Sequence, residues 1–124
     1  MTTQAAVWID HTEARVFHIG GEEAGEGKIM TPQHHVHHKH PKGQEGVKAH
    51  VEDDKKFFHA IGEALTGRDE VLVVGPSTAK LELIRWVHAH DRALEAKIVG
   101  VETVDHPTDG QMMAYAKKYF DRRG

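Results

Sequence analysis

The chain contains no cysteine, so neither a disulfide framework nor a thiolate zinc cage is available, and nothing points to an oxidising compartment. Long apolar runs are missing as well: none approaches the roughly 20 residues needed to span a bilayer, and Met1-Thr2-Thr3-Gln4 lacks the basic and apolar character of a secretory leader. These absences predict a cytoplasmic protein without membrane insertion. A net positive charge is also lacking. With histidine neutral the formal charge is -3, which argues against a protein that holds nucleic acid by neutralising phosphates over its whole surface. No internal repeat is present. A length of 124 residues predicts one domain over residues 1–124, able to bury roughly two thirds of its unfolded surface in one core.

What is present begins with Val71-Leu72-Val73-Val74-Gly75-Pro76-Ser77-Thr78-Ala79-Lys80. Four apolar, mostly β-branched residues ended by Gly-Pro suit a strand buried on both faces, and this run is expected to be the central strand. Gly75 permits a turn, Pro76 ends sheet pairing, and Ser77 or Thr78 is placed to cap a following helix. The pattern recurs from Ile98 to Gln111, where a β-branched run ends in His106-Pro107 and Thr108 with Gln111 forms a capping box. Ahead of these lie Ala5 to Asp10 and Ala14 to Ile19, which read as a hairpin, and a third strand near Lys28 to Thr31, an edge candidate because of Pro32. Phe57, Phe58, Ile61 and Leu65 fall on one helical face ended by Gly67. Leu81, Leu83, Ile84, Trp86 and Val87 give a second apolar arc, and Met112, Met113, Ala116, Tyr119 and Phe120 a third. The expected fold is three-layer α/β in the order β-β-β-α-β-α-β-α: a mixed five-stranded sheet, antiparallel meander plus two parallel strands, with three helices, of ribonuclease-H-like type. Open sheet edges leave a homo-oligomer open.

Two constellations carry chemistry. Residues 31–50 form a polar loop with six histidines and three lysines. In the tract His34-His35-Val36-His37-His38-Lys39-His40, His35 and His37 share a face if extended, so Zn²⁺ or Ni²⁺ chelation is chemically easy. The same tract suits RNA: from Lys28 to His50 four lysines stand against Glu45, a local charge of +3, which grows as imidazoles protonate near pH 6 to 7. A solvated polar loop is the bland alternative. The second constellation is Glu102, Asp105, His106 and Asp109, which with Asp10 at the end of the first strand offers Mg²⁺ ligands for a metal-dependent phosphodiesterase or nuclease. Helix capping competes for Asp109. Ser77, Thr78 and Lys80 at a helix start have a phosphate-binding reading, but the glycine spacing of a nucleotide loop is missing and a plain N-cap accounts for them.

The blocks from Val73 to Lys80 and from Val99 to Gln111, followed by Ala114-Tyr115-Ala116-Lys117-Lys118-Tyr119-Phe120, resemble a small bacterial family called translational machinery protein. That family is similar to the middle domain of archaeal and eukaryotic class-one release factors and of Pelota. The resemblance implies the fold above and a place near the ribosome. In release factors, the loop before the first helix carries Gly-Gly-Gln, which positions water for ester hydrolysis. This sequence has Lys42-Gly43-Gln44 there, and a side chain at Lys42 resists the backbone conformations two glycines permit. The combined expectation is a non-enzymatic domain that binds ribosomal or other structured RNA through His34, His35, His37, His38, Lys39, His40, Lys42 and Gln44. It requires no cofactor, and divalent metal at His35 and His37 or at Asp105, His106 and Asp109 is the alternative.

Overall fold

The computed structural model describes residues 3–20, 25–30 and 55–123. Five strands, β1 (Gln4–Ile9), β2 (Ala14–Ile19), β3 (Gly25–Met30), β4 (Glu70–Gly75) and β5 (Ile98–Thr103), make one sheet in the order β3-β2-β1-β4-β5. β1, β2 and β3 form the antiparallel meander, while β4 pairs parallel to β1 and β5 parallel to β4. The helices are α1 (55–64), α2 (Ala79–His90), α3 (Arg92–Glu95) and α4 (Asp109–Arg123).

Alternation along each strand sends side chains to opposite faces, and here both faces are covered. Ala5, Val7 and Ile9 of β1 and Val71 and Val73 of β4 pack with Phe57, Ile61 and Leu65 from α1 and its exit, and with Leu83 and Val87 of α2. Ala6, Trp8, Phe17, Leu72 and Val74 pack on the other face against Met112, Ala116 and Phe120 of α4. Each such large side chain contributes about 1.5–3 kcal/mol by leaving water. The result is α1, α2 and α3 on one face and α4 on the other. Gly67 adopts φ 86°, the left-handed conformation that glycine accepts without a Cβ clash.

Four expectations need correction. β4 is interior, but β1 occupies the middle of the sheet; after their first residues, Gln4 and Glu70, neither strand carries a polar side chain, and pattern alone does not rank two doubly covered strands. There are four helices among the described residues, not three. Asp91 adopts φ -147°, leaves the helical path after α2, and accepts a hydrogen bond from the Leu94 amide at 3.1 Å, which starts the single turn α3. Leu81 is 49% exposed rather than part of the buried arc. Thr78 is the N-cap of α2, yet its side chain makes no capping bond; its carbonyl accepts from the amides of Leu81 and Glu82, and its hydroxyl lies 3.3 Å from His11 Nε2. No helix of the described residues is long and apolar enough to cross a membrane.

Candidate functional site at the carboxyl edge of the sheet

Because β1, β4 and β5 run parallel, their carboxyl ends share one edge. β3 ends there too: Met30 pairs with Ala14, which pairs with Ile9. Phe57 and Phe58 of α1 line a shallow hollow with Ile9, Asp10 and His11. Both described residues that flank 31–54, Met30 and Lys55, therefore sit on elements that meet this edge.

Asp10 anchors the hairpin turn. Its Oδ1 accepts from the Thr12 amide (2.8 Å), the Thr12 hydroxyl (2.9 Å) and the Glu13 amide (2.8 Å), an arrangement that short polar side chains favour in turns. Its Oδ2 lies 3.5 Å from His106 Nε2. Partial burial pushes the Asp10 carboxyl up, but the amides of Thr12 and Glu13, the Thr12 hydroxyl and His106 outweigh it and hold the group below its ordinary value. His106 Nδ1 lies 3.0 Å from Asp105 Oδ1. Asp105 first, then Asp10 against some desolvation, raises the imidazole above its ordinary value. Both ring nitrogens are thus occupied by carboxylates, which favours a structural imidazolium over a general base with a free lone pair.

Trp8 and Arg15, directly opposite in the β1–β2 register, hold the loop after β5. The Trp8 indole donates to the Asp105 carbonyl at 2.6 Å, and its ring lies 5.0 Å from that of His106. Arg15 stacks over Trp8 with its guanidinium carbon 4.5 Å from the ring centroid. It also donates to Asp109 Oδ1 at 2.7 Å and to the Pro107 carbonyl at 3.1 Å. The capping box closes the junction, since Thr108 N donates to Gln111 Oε1 at 2.9 Å and Gln111 N to Thr108 Oγ1 at 3.1 Å. Lys80 is buried and donates to the Ser77 carbonyl at 2.6 Å, so its ammonium serves the α2 entry.

The structure brings Asp10, Asp105 and His106 together, as their strand-end positions suggest, but commits Asp109 to Arg15. Glu102 is taken by the Tyr115 hydroxyl. Among the described residues no group of three or more histidine, cysteine, aspartate or glutamate side chains is arranged to hold a metal ion. The hollow beside Asp10 and His11 has about 30 Å³, room for about one water. His34, His35, His37, His38, Lys39, His40, Lys42 and Gln44 lie outside the described residues. Sequence reasoning missed Trp8 and Arg15. The signal was the short turn from Asp10 to Glu13, which fixes the register that sets these two side by side.

The chain matches no protein-family model and, by sequence, no curated protein. Its fold is similar to solved structures. Thermoplasma acidophilum Pelota matches with a TM-score of 0.60 at 17% identity, over 88% of this chain and 30% of that one. The archaeal translation termination factor aRF1 matches at 0.61 and 14%, over 97% and 39%. Saccharomyces cerevisiae Dom34, a translation termination-like factor involved in RNA quality control, matches at 0.50 and 12%, over 80% and 28%. The chain spans well under half the length of each. Identities this low establish a shared fold and nothing finer.

Proposed function

We propose that the chain is a bacterial, cytoplasmic, non-enzymatic domain that associates with the ribosome or another structured RNA, contacting it through the histidine- and lysine-rich tract from His34 to Gln44. The observation that carries this reading is the likeness of fold to proteins named as translation termination factors. The tract supports it in two ways. Its sequence lies between β3 and α1, both of which meet the carboxyl edge of the sheet, and its lysines and protonatable imidazoles match phosphate and unpaired bases. The nuclease alternative finds less support, because Asp109 is held by Arg15 and His106 by two carboxylates.

The test compares binding of the wild type and of Lys39→Ala/Lys42→Ala to ribosomes from the protein's own host across a salt series. The reading predicts a plot of log affinity against log salt with a negative slope, shallower by about 1 to 2 in the variant, and tighter wild-type binding at pH 6 than at pH 7.5. Identical slopes for the two proteins would refute the tract as the contact.

A further inference from the structure

A second face differs in chemistry from the carboxyl edge. Lys55, Lys56, His59 and Glu63 of α1 and Trp86 and His90 of α2 line an open concavity of about 410 Å³. Trp86 forms its floor. The indole packs on the core yet stays partly exposed, with the His90 ring 5.2 Å away at 37° and the Phe58 and His59 rings at 6.3 and 6.4 Å. Lys55, Lys56, His59 and His90 are exposed around it. Among the described residues of the lining Glu63 is the one acid, and it faces His59 Nε2 at 3.2 Å.

We propose that this concavity takes an unpaired base of a single-stranded RNA, the base stacking on the Trp86 indole beside His90 and the adjoining phosphates meeting Lys55 and Lys56. An aromatic floor with a cationic rim is how proteins hold single strands without reading sequence, because every base has a π-face and every nucleotide a phosphate. The openness of the hollow suits a flat ring lying on an aromatic surface better than a peptide side chain, which is anchored by enclosure. Duplex RNA offers no free base face. The site is built wholly from described residues; only the choice of RNA as the strand rests on the reading above.

The experiment is a titration of intrinsic fluorescence with a uridine octamer at low salt. Trp8 is fully buried and Trp86 is partly exposed, so a stacked base quenches Trp86. The wild type is expected to be quenched to saturation, and a duplex of the same length to leave the emission unchanged. Trp86→Leu keeps an apolar side chain on the core and, read by the anisotropy of a fluorescein-labelled octamer because the reporting indole is gone, is expected to bind about 5- to 150-fold more weakly. Lys55→Gln/Lys56→Gln, a surface change that preserves the fold, is expected to reduce affinity and to make the salt slope shallower by about 1.4. Lys39→Ala/Lys42→Ala is expected to keep the octamer quenching, so this site and the tract are separable. No quenching of the wild type, or unchanged affinity and slope in Lys55→Gln/Lys56→Gln, overturns the proposal even if ribosomes bind. Quenching by a glutamate-rich peptide but not by the octamer assigns the face to a protein partner and overturns it as well.

Discussion

Replacing Arg15 with Met isolates what holds the loop after β5 against the sheet. The Arg15 side chain is 12% exposed and Asp109 39%. Its lost interactions are one charge-assisted hydrogen bond, worth about 1.5–3 kcal/mol, one bond to the Pro107 carbonyl, about 0.5–1.5, and the stacking on Trp8, about 0.5–2. Two effects work the other way. Met keeps the apolar stem in place, and it removes the buried Arg15 Nε, which makes no hydrogen bond and has an ion-pair contact with the half-exposed Glu13 carboxylate at 3.4 Å to set against a desolvation cost of about 1 kcal/mol. Asp109 is exposed enough to rehydrate once released. The net expectation for Arg15→Met is a loss of about 2–4 kcal/mol, read as a drop of about 1–2 M in the urea midpoint with an unchanged slope. Asp109→Asn is expected to lose less, about 1 kcal/mol, and the double variant to show a coupling of about 1–2 kcal/mol. An Arg15→Met unfolding free energy within about 0.5 kcal/mol of the wild type would refute the clamp.

Two glycines should separate by what their missing Cβ would strike. At Gly75 it meets the Ile9 carbonyl oxygen, backbone that has nowhere to move, and Gly75→Ala is expected to cost about 3 kcal/mol or more in thermal or urea unfolding. At Gly100 it meets the hydroxyl end of Tyr119, a side chain that can swing away, so Gly100→Ala is expected to cost about 1–3 kcal/mol and to be partly rescued by Tyr119→Leu. His106 is raised in the folded state, by Asp105 first and then Asp10, so its stabilisation is full below its ordinary 6.5 and fades as pH rises through the raised value. Asp10 is depressed, and its contribution is present above 3.8 and fades as pH falls through the lowered value. The stability gap between wild type and His106→Gln should therefore be widest near pH 6 and narrow toward pH 9 in urea midpoints. A gap that widens with rising pH would contradict the Asp105–His106–Asp10 arrangement. Tyr115 is pushed up to about 12, by burial first and then by its bond to Glu102. A near-ultraviolet absorbance titration should show this late tyrosinate step move down in Glu102→Gln.

Features set by neighbours in sequence were legible in it, and those set by distant pairs were not. The Thr108 and Gln111 box and the Met112, Ala116 and Phe120 stripe lie within one helix, and both hydrogen bonds of the box form. The meander was readable because alternation and short turns are local. Which strand sits in the middle depends on the β1–β4 pairing, some 66 positions apart, and no local pattern encodes it. The single turn α3 was hidden because Arg92-Ala93-Leu94-Glu95 continues the helical propensity of α2, and the break lies in the backbone of Asp91 alone. Thr78 illustrates the reverse: a good capping residue whose hydroxyl faces His11 across the edge instead. At the candidate site, strand-end logic found Asp10, Asp105 and His106, but the clamp through Trp8 and Arg15 joins positions 97 and 94 apart and needed the hairpin register together with the path of β5.

The most direct measurement is sedimentation of the untagged protein with ribosomes from its own host through sucrose gradients, at two salt concentrations and at pH 6 and 7.5. The account predicts co-migration with ribosomal particles that weakens with salt and strengthens at pH 6. Protein remaining at the top of every gradient would contradict it and reduce the likeness to translation termination factors to a shared fold.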